Sequence, residues 1–183
     1  AGLSMGLAAA AATVLFMTVL PRDEVASVGP VDVTPEVTRL KGLEPHLVVH
    51  RRATAGSERL RPGETVAEGD VLQLGYVAGG ETYGAIVSID GAGVVTLHHP
   101  DTATAEAQLG GDGRVDLPYS YELDDAPDFE RFVFVTSDEP FDVHAVLLSA
   151  KRLAGTDSAQ DGDLSLDGRL HQHSLVLKKG VVP

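Results

Sequence analysis

The chain has 183 residues and a formal net charge of −13, with 27 Asp and Glu against 14 Lys and Arg. So acidic a body repels phosphate backbones and anionic head groups, which argues against nucleic acid as a partner and against adhesion to acidic lipid. It has no cysteine, which excludes disulfides, zinc-thiolate sites and a cysteine nucleophile together.

Residues 1–20 carry no charge, and only Ser4, Thr13 and Thr18 among them are polar. Twenty helical residues rise about 30 Å, the hydrocarbon thickness of a bilayer. Pro21 and Arg22-Asp23-Glu24 end the run. The pattern predicts a transmembrane helix over residues 1–21, with the membrane as partner through residues 1–20. A cleaved signal peptide is the rival reading, but it requires a basic flank before the apolar run, and none is present. Because the sequence opens at Ala1, a longer parent chain is expected. Gly2-Leu3-Ser4-Met5-Gly6 matches the G-x-S-x-G pattern of hydrolases, yet a nucleophile elbow needs a strand-to-helix turn, not an apolar helix. Gly2, Gly6 and Ala10 have the spacing of helix-pairing faces, a spacing that Ala-rich segments produce by chance.

Residues 22–42, with Pro30 and Pro35, read as a stalk. Between Arg22 and Leu40 there are two basic and four acidic residues, not the Lys/Arg excess of a cytoplasmic flank. The predicted topology is therefore inner membrane and single-pass, with the body (residues 43–180) outside the cytoplasm.

That body is patterned with period two. Residues 46–52 alternate, residues 70–78 place Leu72, Leu74, Tyr76 and Ala78 on one face, and residues 82–90 place Tyr83, Ala85, Val87 and Ile89 on one face. Gly79-Gly80 separates the last two. Asp90-Gly91-Ala92-Gly93 is a hairpin turn, and residues 94–99 return from it. These runs predict an antiparallel meander. Residues 100–113 read as a loop or weak edge, 114–117 and 119–123 as short strands, and 124–128 as an acidic turn at Pro127. Residues 129–136 are the most apolar run outside the span, as in a central strand buried on both faces. Asp142 then caps a helix to about Ala154, with Phe141 and Val146 as a hydrophobic staple. Val143, Val146, Leu147, Ala150 and Leu153 form its buried stripe, and Gly155 ends it. Residues 156–168 are an acidic loop. Residues 170–179 form a last strand with His171, His173, Leu175 and Leu177 on one face. The expected fold is mainly β: a β-sandwich-like antiparallel module with one α-helix in its C-terminal half.

Chemistry finds few anchors. Asp161, Asp163, Ser165 and Asp167 alternate like a calcium loop, but Leu166 stands where that loop needs Gly and Gln172 where it needs a bidentate Glu. Solvation of an acidic loop explains the run. His98, His99, His171 and His173 would bind metal only if two strands converge with a third ligand. Asp124, Asp125, Asp128 and Glu130 would serve a hydrolase only if one carboxyl were desolvated opposite another. No phosphate-cradling loop occurs. Neither catalytic nor metal-binding residues are assigned, no cofactor is expected, and any ligand groove is expected near Tyr76, Tyr83 or Tyr121.

Three runs carry a resemblance: Glu68-Gly69-Asp70-Val71-Leu72-Gln73-Leu74-Gly75-Tyr76, then Thr82-Tyr83-Gly84-Ala85-Ile86-Val87-Ser88-Ile89-Asp90, then Gly93-Val94-Val95-Thr96-Leu97-His98-His99-Pro100. With residues 132–141, they resemble a bacterial β-rich domain family of unknown function, over roughly residues 43–154. That family is appended to membrane-anchored signalling proteins, serine/threonine kinases among them, and some similar chains carry a zinc-binding anti-sigma-type segment before the span. The resemblance implies an extracytoplasmic sensory or binding module and no catalytic residues. The resulting expectation is a single-span, non-enzymatic sensory or binding domain of a bacterial envelope signalling protein. The alternatives are a small carboxylate-dependent hydrolase and a His-based metal-binding envelope protein.

Overall fold

The computed structural model describes residues 44–54 and 56–180. Among them no helix is long and apolar enough to cross a membrane. The expected span (1–21) and stalk (22–42) lie outside the described residues.

Nine strands and one helix follow in chain order: β1 (His46–Ala53), β2 (Gly56–Leu60), β3 (Thr65–Val66), β4 (Val71–Val77), β5 (Tyr83–Asp90), β6 (Val95–His99), β7 (Arg114–Glu122), β8 (Phe129–Ser137), α1 (Val143–Ala154) and β9 (His171–Lys179). They build a front sheet ordered β2-β1-β4-β7 and a back sheet ordered β3-β9-β8-β5-β6. Every pairing is antiparallel except β3 with β9. The mainly β, sandwich-like expectation is met.

Alternation decides which side chains meet. Leu72, Leu74 and Tyr76 of the front sheet join Ile86, Phe132, Phe134, Leu175 and Leu177 of the back sheet in one core. The opposite face of the back sheet carries Val87, Ile89, Val133 and Val135. It packs against Val146 and Ala150 of α1 and against Ala159 and Leu164 of the loop that follows. Three layers result, and β8 lies in the middle of them. All nine of its residues are buried, Glu130 and Arg131 among them.

Asp142 caps α1 as expected, its carboxylate accepting the His144 N–H at 2.9 Å. Gly155 follows at φ −84°, so the helix ends without a left-handed residue. In the hairpin at residues 90–93, the Asp90 carboxylate accepts the N–H groups of Ala92 (2.8 Å) and Val94 (2.9 Å).

Four expectations need correction. The meander breaks between β4 and β5, which lie in different sheets. Gly79 and Gly80, at φ 62° and 98°, turn the chain across the sandwich, a left-handed path that favours glycine. Residues 114–117 and 119–123 are one strand, β7, running through Pro118. A proline is tolerated there because β7 is an edge strand with an irregular register opposite Gln73 and Gly75. The Gln73 amide donates to the Leu117 carbonyl at 2.6 Å and bridges the irregularity. Strands β2 and β3 had no sequence signal, since Gly56-Ser57-Glu58-Arg59 is polar and exposed. The acidic loop, finally, keeps Asp161, Asp163 and Asp167 exposed as expected, but two of its backbone carbonyls are held by a buried arginine.

Candidate functional site

That arginine is Arg131 of β8, 2% exposed. Its side chain points to the helix layer and donates to the carbonyls of Ala159 (3.1 Å) and Gly162 (2.6 Å) and to the Ser174 hydroxyl (2.9 Å). Desolvation lowers its pKa, while Asp163 and Asp161 act the other way. Two of the alternating acids, Asp161 and Asp163, thus lie near enough to favour the charge of a protein cation, while Asp167 pairs with Arg169.

Glu130, the preceding residue, points into the sandwich. It is fully buried, and neither carboxyl oxygen has a hydrogen-bond partner among the described residues. Burial pushes it up to about 7, with smaller upward contributions from Asp90 and Asp124, against Ser88 and Lys179, which lower it. Ser88 on β5 also faces His98 of β6, with Oγ and Nε2 3.0 Å apart. His98 is 4% exposed and burial lowers it to about 4. The Tyr121 ring meets it edge-on at 4.8 Å, and burial pushes that phenol up to about 12. Ser88, His98, Tyr121 and Glu130 thus form a polar island in the core. It resembles a nucleophile–base pair in composition only. Ser88, His98 and Glu130 are each at most 4% exposed, and a reacting carbonyl needs access to the nucleophile and to oxyanion donors.

The histidines expected as a possible metal set are dispersed. His98 is bound up with Ser88, and His99 lies against Tyr76 at 5.8 Å. His173 lies beyond Phe134 at 6.5 Å, and His171 is exposed. Among the described residues no three His, Asp or Glu side chains converge on a metal position. The four acids of residues 124–130 also part. Asp124 caps the turn by accepting the Ala126 N–H and meets the Lys179 ammonium, whereas Glu130 is sealed in the core.

The tyrosines mark one minor groove. Tyr83 lines a hollow with Ala107, Phe141 and His144. Tyr76 is buried, its hydroxyl accepting the Gly110 N–H at 2.9 Å, and Tyr121 belongs to the polar island. A larger concavity among the described residues lies elsewhere, a cleft of about 1150 Å³ at the β2–β9 side of the sandwich. It is lined by residues 44–47 and 58–62, by Glu64, and by residues 173–175 of β9. Leu47, Leu60 and Leu175 give it an apolar floor, and His46, Arg59, Arg61 and His173 give it polar walls. Burial lowers the pKa of His173, and its Nε2 has no hydrogen-bond partner among the described residues.

One sequence signal could have pointed to this edge. The opening of β9, His171-Gln172-His173-Ser174, is polar, as edge strands are, although the strand pairs along its whole length with buried β8. No family model, curated protein or solved structure matches this chain. The likeness to the signalling-associated β-rich domain rests on the quoted runs alone.

Proposed function

We propose that this chain is a non-catalytic binding module of a bacterial envelope signalling protein. Residues 1–20 hold it in the inner membrane as a single span, with the β-rich body outside the cytoplasm. One observation supports the binding part above all. A cleft of about 1150 Å³ among the described residues is open, has an apolar floor and polar walls, and is lined by residues 44–47, 58–62 and 173–175. Pockets that combine apolar surface with a few polar groups are the usual form of binding sites. The densest polar chemistry, around Ser88 and Glu130, is walled off in the core instead.

Topology is tested with a single reporter, since the chain has no cysteine of its own. Ala105→Cys, on an exposed loop, should react with a membrane-impermeant maleimide in spheroplasts, and the chain should stay in the pellet after carbonate washing. Labelling only after lysis, or release by carbonate, would end the membrane-held, outward-facing reading.

A further inference from the structure

Lysines are usually left in water, as Lys151 and Lys178 are here. Lys179, at the end of β9, is not. It follows Leu175 and Leu177 on the face of β9 that enters the sandwich, and its side chain is 5% exposed. The turn after β7 brings Asp124 to it. The Lys179 Nζ donates to the Asp124 carbonyl oxygen at 2.5 Å and lies 3.5 Å from Oδ1 of the same residue. That Oδ1 also accepts the Ala126 N–H at 3.1 Å. Glu130 completes the group. It stands opposite Leu177 in the β8–β9 pairing, so Lys179 is its diagonal neighbour on the same inner face. Diagonal positions lie about 7–8 Å apart, within reach of two side chains of this length. The charges of Lys179 and Asp124 are both felt at Glu130, whose carboxyl is fully buried and without a hydrogen-bond partner among the described residues. An ordinary surface ion pair needs neither a buried amine nor a second carboxyl behind it.

We propose that Lys179 and Asp124 condense into an intramolecular isopeptide bond, with Glu130 carrying the protons between them. A lysine amine is a nucleophile once its proton is gone. Glu130 moves one proton from the ammonium to the Asp124 carboxylate, leaving an amine and an acid. The amine attacks Cγ, the C–N bond forms, and an electron pair passes to Oδ1, where the Ala126 N–H is already in place as an oxyanion donor. Glu130 then moves a second proton from the nitrogen to the hydroxyl, the C–O bond breaks, and water leaves through the half-exposed side of Asp124. Two protons and one oxygen depart as water, one amide is made, and nothing is oxidised or reduced. Burial pushes Glu130 up to about 7, where it both accepts and returns a proton at neutral pH. Holding amine and carboxyl in contact removes the entropic cost that opposes their condensation in free solution. The bond joins β9 of the back sheet to the end of the front sheet, between residues 55 apart in the chain. It is a cross-link for a protein with no cysteine to supply one. The reaction is a single self-modification and stands apart from the binding reading.

The test is the intact mass of the purified full chain. It should fall short of the sequence mass by one water, and a tryptic digest should contain a branched peptide joining residues 115–131 to residues 179–183 through Asp124 and Lys179. Lys179→Arg and Asp124→Ala should keep the full mass. Glu130→Gln, shown to be folded by circular dichroism, should link about a hundredfold more slowly. Effects of Glu130 on stability itself belong to the unlinked chain, which the Lys179→Arg form isolates. A parent that keeps its full mass after days at neutral pH would overturn the proposal. So would a missing water without the branched peptide, as a succinimide at an Asp-Gly step would give, a branch at another carboxylate, or a Glu130→Gln chain that links at the parent's rate.

Discussion

Two titratable groups of the polar island should work against each other, and removing either should expose the other. Glu130 rises from 4.5 to about 7 on folding. Between those values the unfolded chain releases its proton while the folded one keeps it. Stability is therefore lost as pH rises, by about 1.4 kcal/mol per pH unit and roughly 3 kcal/mol in all. His98 falls from 6.5 to about 4. Between those values the unfolded chain takes up a proton that the folded one refuses, so stability is lost as pH falls, again by roughly 3 kcal/mol. From pH 4.5 to 6.5 the slopes cancel. Folding there moves a proton from the imidazole to the carboxyl with no net exchange with solvent.

Urea unfolding at half-unit pH steps, followed by circular dichroism, separates the two. The stability of Glu130→Gln relative to the parent should climb by about 1.4 kcal/mol per unit from pH 4.5 to 7 and then level off. That of His98→Gln should climb by a similar slope as pH drops from 6.5 to 4. A flat difference curve for Glu130→Gln across that range would mean that the folded carboxyl ionises normally, and the picture of a sealed, partnerless Glu130 would be refuted.

Three further outcomes are expected. Arg131→Ala leaves the Ala159 and Gly162 carbonyls and the Ser174 hydroxyl without their donor; it should cost about 3 kcal/mol in chemical denaturation and make residues 156–168 the first site of proteolysis. Gly91→Ala sets a methyl 1.7 Å from the Pro127 carbonyl oxygen; one of the two turns must move, at roughly 2–3 kcal/mol, seen as a lower thermal midpoint. Asp142→Ala removes the cap of α1 and should cost about 1 kcal/mol, with amide exchange accelerated at His144 first.

Much of this fold can be read from local pattern, and the missing parts share one cause. Apolar alternation marks β4 and β5, a mostly apolar run marks β8, and Asp142 marks the start of α1, because each signal lies within a few residues of the structure it specifies. Which strands become neighbours is not local. Strand β4 pairs with β1 and β7, while β5 pairs with β8, its partners 40 or more residues further along, and nothing in Gly79-Gly80 states which sheet the chain enters next. Strand β2 escapes notice because polar, exposed residues need no alternation to pair at an edge, and β3 because two residues are too few to show a period. The candidate site is harder still. It is a cleft between residues 44–47, 58–62 and 173–175, segments that only the pairing of distant strands brings together. Glu130 and Arg131 were visible as charges in an apolar strand, but their environments were not.

Those two residues show how the environment decides the fate of a buried charge. They are adjacent on β8 and point to opposite layers, each the charged member of an otherwise apolar face. Arg131 meets two carbonyls and a hydroxyl, so its donors are satisfied and nearby Asp161 and Asp163 favour its charge. Glu130 has no hydrogen-bond partner within bonding distance among the described residues, and the pull of Ser88 and Lys179 on its charged form does not offset the loss of water. Removing the first group should therefore weaken the protein at every pH. Replacing the second with an apolar residue of similar size, as in Glu130→Met, should strengthen it, and more at pH 8 than at pH 4, because only at the higher pH does folding the parent force a proton onto the carboxyl or bury a bare charge.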